Sequence, residues 1–261
     1  MSFERVEAAP QTSAAAIIGL WLLVVVPMAG LSLVLAPILI ARYPDANAGL
    51  IFWGTIIGGM AWQCVVSLGV LFAEGQRWRW QDLRDRLWLH PPSHPVTGRR
   101  SWALLWVVVP LGCAFSLLAG PAFDWLDVAF ATQLPGWMTP GYGDITTLAT
   151  PANTGNWTIL WMALISSLFN YVLGEAFFFH GILLPRMAGA FGRWAFVANA
   201  VAYGGYHVHK AVVMPSVMIS CLAFSLPAQL TRSIWPALLI HGIEGVALIA
   251  AVLFVVLGGL R

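Results

Sequence analysis

Residues 17–40, IIGLWLLVVVPMAGLSLVLAPILI, decide the class of this chain. The run has no ionisable side chain, and a helix needs about 20 mostly apolar residues to cross the ~30 Å hydrocarbon layer of a bilayer. Counted from Ala14 it is too long for the apolar region of a signal peptide and has no convincing cleavage site, so it reads as a span. Further apolar runs follow at about residues 49–72, 102–120, 157–179, 194–207, 211–229 and 234–257. The third continues as a shorter, partly polar stretch to Gln133. The fifth is short and holds polar groups, which suits a tilted, interrupted or shielded segment. The expectation is an all-α, polytopic membrane bundle of about seven spans, with no internal repeat.

Composition agrees. Apolar residues make up 59% of 261 positions and charged residues 9%, against roughly a quarter charged in a soluble globule. Mean hydropathy is +0.80. An outer surface with so few charges faces lipid. The 14 tryptophans suit headgroup-level anchoring. A net charge of +2 excludes a strongly basic nucleic-acid binder. Cys64, Cys113 and Cys221 are odd in number and sit in apolar runs, so they imply no disulfide framework.

Basic residues set the expected orientation. The segment 74–100 carries Arg77, Arg79, Arg84, Arg86, Arg99 and Arg100 and reads as cytoplasmic. Residues 121–156 carry no Lys or Arg but include Asp124, Asp127 and Asp144, and read as outside. Arg186 and Arg193 mark another cytoplasmic turn, as does Arg232; Lys210 is the exception. This pattern predicts a multi-pass protein with a cytoplasmic N-terminus. The stretch 77–89, RWRWQDLRDRLWL, suits either a helix lying on the inner surface or an ordinary loop.

After Asp144 only two acidic residues remain, Glu175 and Glu244, both inside apolar runs. His180, His207, His209 and His241 share this region. An intramembrane charge costs about 2.5–3.5 kcal/mol on insertion scales, so such groups face a protein interior or a water-filled cavity. At about 1.5 Å per residue, Glu175, His207 and His241 all lie well inside the bilayer. One shared polar cavity in the C-terminal half is the expectation, dividing the chain into residues 1–156, membrane helices and loops, and 157–261, the core that carries chemistry. His241 and Glu244, three apart, share a helix face. Each group also has a plain structural reading: Glu175 as an interhelical hydrogen-bonding group, His241–Glu244 as a buried pair, His209 as interfacial, His90 and His94 as solvated.

The residues also carry a family resemblance. Residues 174–187, GEAFFFHGILLPRM, resemble the first motif of the CPBP family of CAAX prenyl proteases and bacterial self-immunity relatives, Glu-Glu-x-x-x-Arg. Tyr203-Gly-Gly-Tyr-His207 is similar to Phe-x-x-x-His, and His241-Gly-Ile-Glu-Gly245 to His-x-x-x-Asn; RSIWPALLIHG also resembles the approach to the last histidine. The resemblance covers about residues 157–250. It implies a metal-independent intramembrane endopeptidase of a bacterial inner membrane, with no cofactor. Its partners would be membrane lipid and a membrane-associated protein or peptide substrate, with no nucleic acid and no oligomeric state implied. On that resemblance Glu175 is the general base, His207 holds the water and His241 donates to the oxyanion, with Tyr203, Glu244 and His180 in support.

Three positions depart from the pattern. Ala176 replaces the second Glu and His180 the Arg, so a pair that could face itself across one helical turn is lost as a unit. Gly245 replaces the Asn, with Glu244 beside it; a protonated Glu244 could donate in its stead, whereas an ionised one would repel an oxyanion. Loss of supporting groups weakens catalysis. The alternative is therefore a catalytically weakened or inactive relative that binds and regulates a membrane partner. A zinc site on Glu175, His180 and His207 lacks a His-Glu-x-x-His pattern, and a transporter lacks an inverted repeat.

Overall fold

The structure is a computed structural model that describes residues 9–75 and 78–260, with Ile145 described by its backbone alone. Arg77 of the basic loop and the N-terminal residues 1–8 lie outside the described part. Helices α1 (Ala14–Ala29) and α2 (Ala36–Arg42) are joined by a wide-turn segment, Gly30–Leu35, into one stretch. Pro27 removes one N–H from its last turns, the usual origin of such a distortion. Next come α3 (Ala48–Ala73), whose first turn is capped by the Asn47 side chain, the short α4 (Trp80–Arg86), and α5 (Leu105–Ala131). The C-terminal half holds α6 (Trp157–Leu168), α7 (Leu184–Phe191), α8 (Ala195–Tyr206), α9 (Met214–Ser220), α10 (Leu222–Thr231) and α11 (Trp235–Val256). Among the described residues there is no strand, only an isolated bridge between Ser93 and Arg100.

Among the described residues, six stretches are long and apolar enough to cross a membrane, and the fourth, Trp157–Tyr206, is 50 residues long. As one straight helix it would run about 75 Å, over twice the hydrocarbon thickness. The chain instead reverses at Gly192, whose φ of +54° is open to glycine at little cost, and α8 packs back on α7. The fourth and fifth runs expected from sequence are thus two legs of this stretch. The second leg, α8, has 12 residues, about 18 Å. It stays among its neighbours, with Asn199, Tyr203 and Tyr206 buried. Large apolar side chains such as Phe72, Trp106, Leu117 and Leu118 point outward, as a lipid-facing surface requires. The chain is a multi-pass helical membrane protein.

Glutamate 175 sits at a designed interruption. Wide-turn segments Phe169–Leu173 and Ala176–Leu183 flank it; such turns re-aim side chains and recur at functional sites. Gly174 lies between them, pressed against α3. A Cβ there would fall 2.3 Å from the Phe169 carbonyl oxygen and 2.6 Å from that of Met60. Only glycine permits this approach.

Three readings of single residues change. Arg186, expected to mark a turn, is completely buried. Its Nε and Nη2 donate to the two carboxylate oxygens of Glu74 at 2.8 and 2.7 Å, and Arg86 of α4 donates to the same carboxylate at 3.0 Å. His90, expected in solvent, is buried because the loop after α4 folds under the start of α11: the His90 carbonyl accepts from Ser233 Oγ at 2.8 Å and Trp88 O from the Ile234 N–H at 3.0 Å. Burial holds the His90 imidazole below its usual pKa. His209, expected at the interface, is also buried. His94 remains exposed. The surface helix expected within 77–89 is confined to α4, with Trp78 and Trp80 exposed beside it.

Candidate active site

Four side chains from three helical segments meet at one carboxylate. Glu175 is 2% exposed. The Tyr203 hydroxyl, from α8, donates to Glu175 Oε2 at 2.7 Å, and the hydroxyl oxygen itself lies 2.7 Å from His241 Nε2 of α11. A phenol has one proton. Because Tyr203 gives it to the carboxylate, its oxygen accepts from the His241 Nε2–H. His241 Nε2 also stands 3.5 Å from Glu175 Oε2.

His207 ends α8. Its Nδ1 is 3.0 Å from the Tyr203 carbonyl oxygen, which can only accept, so Nδ1 carries the proton. In the neutral ring Nε2 then offers its lone pair toward Glu175 Oε2, 4.0 Å away. A water bonded to both groups fits that separation. The two-residue step from His207 to His209 separates them, as sequence spacing predicts: His209 packs edge-on to Tyr206.

Glu244 lies on the opposite side of the imidazole from Glu175. Its Oε2 is 2.9 Å from His241 Nδ1 and its Oε1 accepts from Ser116 Oγ of α5 at 2.8 Å. It therefore orients His241 and does not face the reacting side as an asparagine substitute. At 245 no such substitute fits, since a Cβ on Gly245 would lie 2.4 Å from the Tyr171 ring. That ring packs edge-on to His241 with centroids 4.5 Å apart. His180 is brought to the same core but not to the carboxylate. It is 1% exposed, 3.4 Å from Ser225 Oγ, and packs against Tyr203 and Phe224. Ala176 is fully buried too. Among the described residues no three His, Cys, Asp or Glu side chains gather as a metal-ligand set.

Sequence reasoning passed over two neighbours of Glu175, Asn170 and Tyr171. With its amide nitrogen toward that carboxylate, Asn170 donates to Glu175 Oε2 at 2.8 Å and Oε1 at 3.0 Å. A neutral amide in an apolar run carries little signal; its only mark is its position five residues before Glu175.

A cavity of about 160 Å³ adjoins the group. It is lined by Asn170, Tyr171 and His207 beside the group, by Phe52, Trp53 and Met60 of α3, and by Tyr142, Gly143 and Lys210. Tyr142 and Gly143 belong to residues 132–156, which lack Lys and Arg. Glu175 is not on the wall; Asn170 and His207 stand between it and the open space.

The family model described as type II CAAX prenyl endopeptidase Rce1-like matches residues 156–247. That segment is similar to the Rce1-like family. The match spans about a third of the chain and contains Glu175, Tyr203, His207 and His241 as well as all three motifs read from the sequence. It agrees with the resemblance to the CPBP family and supports, at family level, a CAAX-protease-like peptidase of the membrane. No curated protein and no solved structure matches the chain.

Proposed function

We propose that this chain is an intramembrane endopeptidase in which Glu175 activates a water for attack on a peptide carbonyl of a membrane-associated protein or peptide. The observation that carries this reading is the meeting of Glu175, His207 and His241 around Tyr203 beside a cavity, inside the Rce1-like segment. Water held between His207 Nε2 and Glu175 gives its proton to the carboxylate as its oxygen bonds to the carbonyl carbon. Once Glu175 is protonated it no longer needs the Tyr203 proton, so the Tyr203 hydroxyl and His241 Nε2–H turn from their resting partners to the oxyanion, donors worth roughly 10²–10³-fold each where water is scarce. Collapse breaks the C–N bond, and Glu175 returns the proton to the leaving amine. Glu244, fixed by Ser116, holds His241 in the donor orientation. No metal or other cofactor enters this scheme.

In this reading substrate enters from the non-cytoplasmic side of a bacterial inner membrane and the N-terminus is cytoplasmic, which the cavity lining at Tyr142 and Gly143 and the arginine pattern support. The test is cleavage of a peptide library by the purified, reconstituted protein. Activity lost in Glu175→Gln at unchanged helical content and melting temperature supports the reading; equal activity in both proteins sinks it.

One observation favours a second reading, a non-catalytic relative that binds and regulates a membrane partner. Glu175 is closed off from the cavity and its oxygens are already bonded by Asn170 and Tyr203. In that case neither wild type nor variant cleaves, and Glu175→Gln leaves partner binding intact.

A further inference from the structure

We infer that Asn170 is the positioning residue of the catalytic carboxylate: its side-chain amide holds both oxygens of Glu175 and separates that carboxylate from the cavity. The inference rests on the peptidase reading above for its consequence in catalysis, and on geometry for the contact itself. Asn170 occupies the wide-turn segment Phe169–Leu173, five residues before Glu175. The same segment supplies the Gly174 N–H bond to the Phe169 carbonyl, 2.7 Å, which closes the wide turn and sets where residue 170 points. The amide nitrogen reaches Oε2 at 2.8 Å and Oε1 at 3.0 Å, while the residue lines the cavity wall. Among the described residues no other uncharged donor does both: Tyr203 bonds a single oxygen and is buried away from the cavity.

The adjacent residue explains why an amide is placed here. The Tyr171 ring fills the volume beside Gly245 and braces His241, so α11 has no room for a carboxamide next to that histidine. The pair Asn170-Tyr171 thus fills one side of the site with a ring and gives the other an amide, both from a segment whose turns are wide enough to aim consecutive side chains into it. An amide donor favours the charged form of the carboxylate and fixes its plane. Water reaching Glu175 from the cavity passes between this side chain and His207.

The titratable groups around Glu175 are Tyr203 and Tyr206 of α8, His207 at its end, Cys221 before α10, His241 of α11 with Glu244 on its far side, and Tyr171 on its own segment. Of these, Tyr171 is also hydrogen-bonded to Asn170. Asn170→Asp keeps shape and puts a second carboxyl group within about 3 Å of the first, and two carboxylates so placed do not both ionise. Asn170→Ala removes the donor.

The test uses the full-length protein in lipid nanodiscs, with a peptide substrate found in the library assay and an infrared pH titration of the protonated-carboxyl band, assigned by difference from Glu175→Gln. In Asn170→Asp the acid limb of kcat/KM and the infrared midpoint both move up by at least one pH unit. In Asn170→Ala kcat falls at least tenfold with KM changed less than threefold, and the infrared midpoint again rises. An unmoved acid limb and midpoint in folded Asn170→Asp overturn the inference. Wild type that cleaves nothing while the infrared midpoint still shifts with Asn170→Asp leaves the contact standing and removes the peptidase reading, so the two failures are distinguishable.

Discussion

The Tyr203 hydroxyl and the Glu175 carboxylate are joined by a 2.7 Å hydrogen bond between two buried side chains, 28 residues apart in sequence. Tyr203 is the hub of the site, because the same oxygen meets His241 Nε2 at 2.7 Å and its backbone carbonyl fixes the tautomer of His207. Its ring stacks on Phe179 at 4.6 Å, so the phenol is rigidly placed. Glu244, His241, Tyr203 and Glu175 form one continuous chain of polar contacts across three helical segments.

Replacing Tyr203 by Phe keeps that stacking and deletes the hub. Glu175 loses one donor and His241 its acceptor, while the two remain 3.5 Å apart. Loss of a preorganised donor lowers kcat by about 10²-fold, and leaving buried partners unsatisfied costs roughly 1–3 kcal/mol of stability. Steady-state cleavage and a melting curve on the same preparation check both; wild-type turnover in Tyr203→Phe contradicts the role.

A second buried contact governs stability on the arginine-bearing side. Glu74 receives two bonds from the fully buried Arg186 and one from Arg86. Removing one partner of a buried pair costs about 3–5 kcal/mol, because the other charge is stranded. Arg186→Met and Glu74→Gln should each lower the melting temperature in detergent, Glu74→Gln more, since it strands the fully buried Arg186, whereas in Arg186→Met the carboxylate keeps Arg86. The double variant Glu74→Gln/Arg186→Met should lose less than the two single losses added together, as a double-mutant cycle reads coupling.

Entry from the arginine-free face has its own signature. With Cys64, Cys113 and Cys221 replaced by Ala, a single cysteine at Gly143 or Lys210, both lining the cavity, should react in intact cells with a membrane-impermeant maleimide. A cysteine at Arg84, on α4, should react only after lysis. The reverse labelling pattern would invert the orientation and place substrate entry on the cytoplasmic side.

The parts of this architecture legible in the sequence were those with a large energetic signature. The uncharged run 17–40 could not be solvated, and Glu175, His207 and His241 stood out because ionisable groups in apolar spans are costly. Legibility failed where the signature is small or non-local. Asn170 is neutral, and nothing in FNYVLGEA marks the wide turns that aim it. Arg186 looked like a loop marker because its partner Glu74 is 112 residues away. His90 lies among prolines that read as solvent-exposed chain, yet the loop folds under α11. The reversal at Gly192 was anticipated from Arg193 beside it, whereas the interruption at Gly174 depends on the α3 backbone pressing on it.

The most direct measurement of the central claim compares peptide termini in membranes from cells expressing wild type or Glu175→Gln at equal levels. The account predicts a set of new termini that is present with wild type and vanishes with Glu175→Gln, and those termini name the substrate. An identical set of termini in both, with both proteins folded and equally abundant, would contradict catalysis by Glu175.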